Sequence, residues 1–214
     1  MSMSVEQFLS LSDAEQLQTI KDLNDIGQEE IIIDVLTGVG IDNLSVPLLG
    51  ELGRAYNNND KPEEAIKVFK TIDTEHRDAV WHYRCAYSHG SIASTNHEAY
   101  TSENMQQMLA LVDNGVRLAT KEGRNDIKEY CFEVMDMCRL QMDFEKCEVD
   151  YPDLCLNYSK YIAEKKKKRE GVPRQRTITV EEILATDDMW TINEPAYWTD
   201  RKSTRLNSSH SAKS

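Results

Sequence analysis

The chain has 214 residues, of which 40% are hydrophobic and 29% are charged, and its formal net charge is -12 at pH 7. This composition excludes a disordered chain, and the acidic balance argues against nucleic acid and anionic membranes as main partners, because both are negatively charged. No apolar run approaches the roughly 20 residues of a membrane span, and the N-terminus lacks the basic and apolar regions of a signal peptide.

The first elements in chain order are two short helices. Ser12 and Glu15 form a capping-box pattern, after which apolar residues recur at helical spacing until Gly27. Residues 31–36 are rich in isoleucine. Their β-branched side chains are compatible with a buried strand, whereas the flanking glutamates and the helical neighbours favour a buried helix.

A helical hairpin is predicted next. Asn43 or Ser45 caps a helix that runs to about residue 58, with Pro47 in its first turn. The asparagine-rich turn that follows leads to Pro62, which opens the second helix. Residues 77–89 then predict a further helix.

The remaining chain predicts three more helices. The polar stretch 90–100 is expected to be a loop, longer than a usual helix connection. Ser102 caps a helix of strong apolar periodicity that Gly123 ends, and Asn125 caps the next one. Residues 144–150 are expected to be a connection, and a last helix starts at Pro152.

Together these patterns predict about eight helices joined mostly by short links, which make sequential neighbours antiparallel. The expected fold is all-α, with stacked antiparallel helical hairpins over residues 1–170 and an irregular C-terminal extension. Residues 171–199 are expected to be a linker, and a truncated second domain is an open interpretation of the same segment.

The last residues have an unusual sequence. Residues 200–210 read DRKSTRLNSSH, the direct translation of a common sequencing-adapter oligonucleotide. A chance match over that length is very improbable; the alternative is an ordinary polar tail. We therefore expect 200–214 to be an artefactual, disordered tail, and the natural reading frame to have been cut near Thr199.

Residues 46–79 carry small and aromatic residues at the offsets of a known helix pair. These residues are Leu49, Leu52, Gly53 and Tyr56 on the first helix, then Ala65 and Phe69 on the second. Gly53 and Ala65 let the two backbones approach, while the larger side chains fill the space around them. This stretch resembles the tetratricopeptide repeat, a helix-turn-helix of about 34 residues, although Arg77 stands where the family often has proline.

The resemblance implies a tetratricopeptide-like α-solenoid. A second repeat begins at Trp81, with its register slipped by about one residue, and residues 12–39 and 125–169 are candidate flanking hairpins. The alternative is a non-repeating helical bundle in which one hairpin looks repeat-like. Residues 81–84 also resemble short repeat proteins of bacteria, which implies a cytoplasmic bacterial setting.

In this family the first helix of each hairpin lines a concave, partner-binding side. Carried over by position, the resemblance implies these partner-binding residues: Arg54, Asn57, Asn58, His82 and His89. The alternative is that they are merely exposed. Gly50 and Arg54 replace the Lys and Asn pair of the clamp that grips a chaperone's C-terminal carboxylate, so chaperone binding is not implied.

Candidate metal chemistry is weak in this sequence. His82, Cys85 and His89 share one helical face at a spacing that can present metal ligands, but a repeat face with polar and buried members explains them better. The other cysteines lack close CxxC pairs, and a cysteine nucleophile would need a nearby base that nothing local supplies. The five cysteines are expected to be small buried thiols in a reducing, cytoplasmic protein.

The basic run 165–169 is expected to be a solvated helix end, where cations favour the helix dipole; a nuclear address or an anion-binding patch is the alternative. We therefore predict a non-catalytic scaffold, without metal or cofactor, that binds a peptide or partner domain. One alternative is the recognition arm of a larger regulatory, toxin-neutralising or enzymatic protein whose C-terminal domain is truncated. Another is a structural assembly subunit.

Overall fold

A computed structural model describes residues 3–170, and over this range the chain is all-helical, without a strand. The α-helices are α1 (Val5–Leu9), α2 (Asp13–Asp25), α3 (Glu29–Val39), α4 (Val46–Asn58), α5 (Pro62–Lys70), α6 (Ala79–Thr95), α7 (Glu103–Glu122), α8 (Asn125–Met137), α9 (Phe144–Asp150) and α10 (Pro152–Glu170). Short 3₁₀ turns lie at Ile41–Asn43 and Thr74–His76. The all-α prediction is confirmed, and the predictions for 171–199 and 200–214 fall outside the described residues.

The chain divides into two compact units, Met1–Lys165 and Lys166–Ser214, and of the second only the last residues of α10 are described. Residues 3–170 form ten α-helices instead of about eight, because α1 and α9 are short and carry little periodicity. Among residues 3–170, no helix combines the length and the apolar character that crossing a membrane requires.

Local capping explains where several helices begin and end. The Ser12 backbone N–H donates to the Glu15 carboxylate at 2.9 Å, which completes the predicted capping box. The Ser102 hydroxyl accepts from the Met105 N–H, and α7 ends at Gly123 in the left-handed conformation (φ 70°). The isoleucine-rich run lies in α3, so the helical interpretation of residues 31–36 is confirmed.

Two stretches predicted as connections are helical. α6 continues through residues 90–95 because Gly90 and Ala93 are buried, and a Cβ on Gly90 would lie 2.9 Å from the Met137 methyl carbon. The small residues thus let α6 pack closely on its neighbours over its full length. Residues 144–150 form α9, which begins where the Asp143 carboxylate accepts from the Lys146 N–H.

The hairpin of α4 and α5 packs at the predicted point of close approach. A Cβ on Gly53 would lie 2.3 Å from Cε1 of Phe69, whose ring is fully buried. Ala65 is also fully buried in this hairpin. Glycine at position 53 is therefore required by the Phe69 ring, in agreement with the role inferred from the sequence.

Two hydrophobic cores meet at α6. The N-terminal core comprises buried side chains from α1 to α6, among them Phe8, Leu36, Leu52, Phe69 and Trp81. The C-terminal core comprises buried side chains from α6 to α10, among them Met108, Leu109, Phe132, Met135 and Leu154. Besides packing on their sequential neighbours, the even-numbered helices contact one another: α2 contacts α4, α4 contacts α6, and α6 contacts α8.

Candidate functional site

Polar side chains connect the three helices α2, α4 and α6. The Arg54 guanidinium of α4 donates to the Asp25 carboxylate of α2 at 2.9 Å. The Arg84 guanidinium of α6 donates to the Gly50 carbonyl and to the Glu51 carboxylate of α4, each at 2.9 Å. Because these contacts join residues about 30 positions apart, they depend on the packing of the helices.

Glu51 is the centre of this polar network, although only 5% of it is exposed. Its carboxylate accepts from Arg84, from the Asn24 amide at 2.9 Å and, more weakly, from Arg54 at 3.5 Å. A buried carboxylate is tolerated when a cation and further donors surround it. We call Asn24, Glu51, Arg54 and Arg84 the Glu51 network.

The structure places the three predicted residues of α4 in different environments. Asn57 is buried; its amide nitrogen donates to the Arg84 carbonyl at 3.0 Å, and its amide oxygen accepts from the Ser88 hydroxyl at 2.7 Å. It therefore fixes α6 against α4. Arg54 and Asn58, one turn apart on α4, are both partly exposed.

The two predicted histidines of α6 face α7. The His89 ring nitrogen Nδ1 lies 2.9 Å from the Asn104 side-chain oxygen, and burial lowers the pKa of His89. His82 packs beside Gly115, where a Cβ on the glycine would lie 3.4 Å from the His82 Cβ. Burial also lowers the pKa of His82, so both rings are neutral at pH 7. The two histidines therefore contact α7, whereas Arg54 contacts α2.

The three candidate metal ligands of α6 lie in different surroundings. Cys85 is buried in the N-terminal core, whereas His89 contacts Asn104 of α7. Across residues 3–170, no group of three or more His, Cys, Asp or Glu side chains is arranged to hold a metal ion.

Aromatic side chains extend the contacts from α6 to α8. The Tyr83 and Tyr130 rings stack with their centroids 5.2 Å apart, and 44% of Tyr130 remains exposed. Burial raises the pKa of Tyr83, which stays protonated. Side-chain contacts thus join α2 to α4, α4 to α6 and α6 to α8.

Sequence reasoning missed Glu51, Arg84 and the tyrosine pair. One signal for Glu51 was available: it lies between Leu49 and Leu52, among the apolar positions of α4. A charged residue among the apolar positions of a helix faces the core of the protein. A charge buried there requires a partner of opposite charge. The identity of that partner was not readable, because Arg84 is 33 residues away.

A second surface feature is a cleft of about 530 Å³ between α7 and the corner that joins α9 to α10. Its lining includes three carboxylates, Asp113, Asp150 and Asp153, and one cation, Arg117, which pairs with Asp113 at 3.2 Å. Tyr151 and Pro152 form part of the same wall. The cleft is therefore predominantly acidic.

Comparison of the chain with models of protein families, with curated proteins and with solved structures finds no match. The proposed function therefore depends on the geometry of the site alone. Within the described residues, this site consists of ion pairs, amide contacts and stacked rings along the even-numbered helices.

Proposed function

We propose that this protein is a non-catalytic binding scaffold in which helical hairpins stack as tetratricopeptide-like repeats. In this arrangement α2, α4, α6 and α8 are the first helices of successive hairpins and form one binding face for a peptide or a partner domain. The observation that carries the proposal is that each pair of successive even-numbered helices is joined by a side-chain contact: Asp25–Arg54, Arg84–Gly50 and Tyr83–Tyr130. Repeat stacking places successive first helices side by side in this way.

We assign binding to the side chains that are exposed on that face. Arg54, Asn58 and Tyr130 are partly or largely exposed on α4 and α8, and arginine and tyrosine are enriched at the energetic centres of protein interfaces. Asn57 and His89 are buried with intramolecular partners, so their role in binding is to position the helices.

The proposal is tested by panning a phage-displayed random peptide library against the full chain. An enriched peptide is then synthesised with a fluorophore, and its affinity is measured by anisotropy for the wild type and for the double variant Asn58→Ala with Tyr130→Ala. We expect the double variant to bind the peptide at least about ten-fold more weakly, because truncating side chains at the centre of an interface removes much of its binding energy.

Lys67→Ala provides the matched control. Lys67 is an exposed residue of α5, a second helix of its hairpin, and its side chain is 75% exposed. We expect this variant to bind the peptide with wild-type affinity. Equal affinity of all three proteins, or selective loss in Lys67→Ala, would contradict the proposed face.

A further inference from the structure

Two of the five cysteines are in direct contact. The Sγ atom of Cys155, in α10, lies 3.0 Å from the Sγ atom of Cys147, in α9, and both residues are free thiols. Both side chains are buried, with exposed fractions of 4% for Cys155 and 0% for Cys147. A disulfide bond is about 2.05 Å long, so the two sulfurs are within about 1 Å of bonding distance.

The corner between α9 and α10 brings these sulfurs together. In an uninterrupted helix, residues eight positions apart are separated by about 12 Å along the axis. Here α9 ends at Asp150, Tyr151 is non-helical (φ -137°, ψ 62°), and Pro152 starts α10. The Tyr151 N–H donates to the Cys147 carbonyl, and the Cys155 N–H donates to the Tyr151 carbonyl, so backbone hydrogen bonds fix both cysteines to the corner.

The other three thiols have different environments. Cys85 packs in the N-terminal core, and Cys138 donates to the Gly90 carbonyl. Cys131 and Cys138 lie seven residues apart around α8, a rise of about 10 Å along a helix. Among the described residues, the Cys147–Cys155 pair is the one in which two sulfurs are hydrogen-bonded to each other.

We propose that Cys147 and Cys155 are a redox-active dithiol that a low-molecular-weight disulfide oxidises to an intramolecular disulfide. In the first step the Cys155 sulfur attacks the reagent, forming a mixed disulfide and releasing one reagent thiol. In the second step the Cys147 sulfur attacks the mixed disulfide at Cys155 and releases the other reagent thiol. Two electrons pass to the reagent, and the two cysteine protons are balanced by those of the two thiols released.

Burial controls the rate of this reaction. It raises the pKa of both thiols, so at neutral pH both are protonated, whereas the thiolate is the attacking species. Cys155 is the more exposed of the two, so a reagent from solvent reaches its sulfur first. Oxidation is therefore slow at pH 7, accelerates as the pH is raised, and begins at Cys155.

The pair also borders the acidic cleft. Asp150, Tyr151, Pro152 and Asp153 form one wall of the cleft, and all four lie between the two cysteines in the sequence. A disulfide between Cys147 and Cys155 closes a loop around this corner. Oxidation would therefore fix the wall of the cleft in place.

The test uses the full chain in native buffer with oxidised glutathione at pH 8. Samples are quenched with acid, the free thiols are alkylated, and the protein is digested with trypsin. Cleavage after Lys146 and Lys160 gives a peptide, 147–160, that contains Cys147 and Cys155 and no other cysteine. We expect this peptide to escape alkylation and to lose two hydrogens in mass.

The chain supplies a matched internal control. Cleavage after Lys128 and Arg139 gives the peptide 129–139, which contains Cys131 and Cys138, also buried and also close in sequence. We expect the internal disulfide to form at least about ten-fold faster in 147–160, because its second step is intramolecular between adjacent sulfurs. Equal rates in the two peptides, or two glutathione adducts on 147–160, would overturn the proposal.

Serine variants test the order of attack. In Cys147→Ser, we expect Cys155 to accumulate as a mixed disulfide with glutathione, because no second thiol resolves it. In Cys155→Ser, we expect Cys147 to react at least about ten-fold more slowly, because the first attacking thiol is absent. Equal reactivity of the two variants would contradict the proposed order. If either variant fails to fold, the ratio of the two wild-type peptides decides the proposal.

Discussion

The N-terminal and C-terminal cores of this protein are built from different side chains. The N-terminal core is mainly aliphatic, contains one buried sulfur-bearing residue, Cys85, and lies beside the buried Glu51 network. The C-terminal core buries eight sulfur-bearing side chains: Met105, Met108, Cys131, Met135, Cys138, Met142, Cys147 and Cys155. At its edge, the Tyr100 and Tyr158 hydroxyls donate to Asp150 and Asp136.

This difference shows two ways of fixing helices against one another. A buried charge that needs specific donors permits few alternative registers, because each alternative leaves the charge unpaired. Methionine and cysteine side chains are adaptable and fill irregular space, so they constrain the register less. The N-terminal half therefore adds a buried charge network to its aliphatic core. The C-terminal half relies more on the shape of its side chains, and its Lys165–Asp136 ion pair is partly exposed.

The largest expected effect comes from removing the buried charge. We expect Glu51→Ala to lower the free energy of unfolding by about 3 kcal/mol, because it leaves Arg84 and Asn24 without their partner. Urea denaturation measures the change. The matched control is Glu64→Ala, which breaks an exposed pair with Lys67 and should cost less than about 0.5 kcal/mol. Similar losses of unfolding free energy in the two variants would show that the buried Glu51 network stabilises the N-terminal half no more than an exposed ion pair does.

The next largest effect on stability is expected where Gly53 of α4 approaches the Phe69 ring of α5. We expect Gly53→Ala to cost about 2 kcal/mol in urea denaturation, because the added methyl overlaps the buried Phe69 ring. Gly50→Ala, one turn earlier on α4, is the control: its Cβ would meet the end of the Arg84 side chain at 3.4 Å. Since alanine favours a helix more than glycine, this control should gain about 0.5–1 kcal/mol. A neutral Gly53→Ala would show that the ring moves aside at little cost.

The C-terminal half is expected to respond less to loss of a single polar contact. Tyr100→Phe removes the hydroxyl that donates to Asp150 at 3.0 Å, and we expect a loss of about 1 kcal/mol. Tyr130→Phe, at an exposed ring of α8, serves as the control and should leave the urea midpoint unchanged. A loss for Tyr100→Phe as large as that for Glu51→Ala would contradict the contrast between the two halves.

The smallest effect is a pH dependence in α6, the helix that both cores share. Burial holds the folded pKa of His89 below its usual value of 6.5, so the unfolded chain takes up the proton more readily as the pH falls. We expect the urea midpoint to decrease from pH 7 to about pH 5, above the ordinary pKa values of carboxyl groups, and burial of His82 contributes in the same direction. His89→Gln should reduce this decrease. A urea midpoint that rises as the pH falls would contradict a lowered pKa of His89 in the folded protein.

The sequence was most informative where the determinants are local. Gly53, Ala65 and Phe69 lie within one hairpin, so their spacing predicted a close approach that the structure contains. Caps at Ser12 and Ser102 were predicted for the same reason. The tetratricopeptide resemblance itself stays a prediction.

Features that depend on distant partners were not readable. The prediction that Asn57 binds a partner stays a prediction, but the hydrogen bond from its amide to α6, 27 residues away in the chain, could not be read from the sequence. The polar composition of residues 90–95 predicted a loop, whereas packing of Gly90 on distant side chains keeps α6 helical. The sulfur contact between Cys147 and Cys155 depends on the angle at Tyr151, which the spacing of the cysteines does not specify.

The most direct test of the central claim is a titration of the isotope-labelled full chain with the enriched peptide, followed by NMR. The account predicts that the largest amide shift changes fall on Val46–Asn58, on Ala79–Thr95 and around Tyr130. These segments form the face along the even-numbered helices. Shift changes confined to Pro62–Lys70, or to the cleft beside Tyr151 and Pro152, would contradict it.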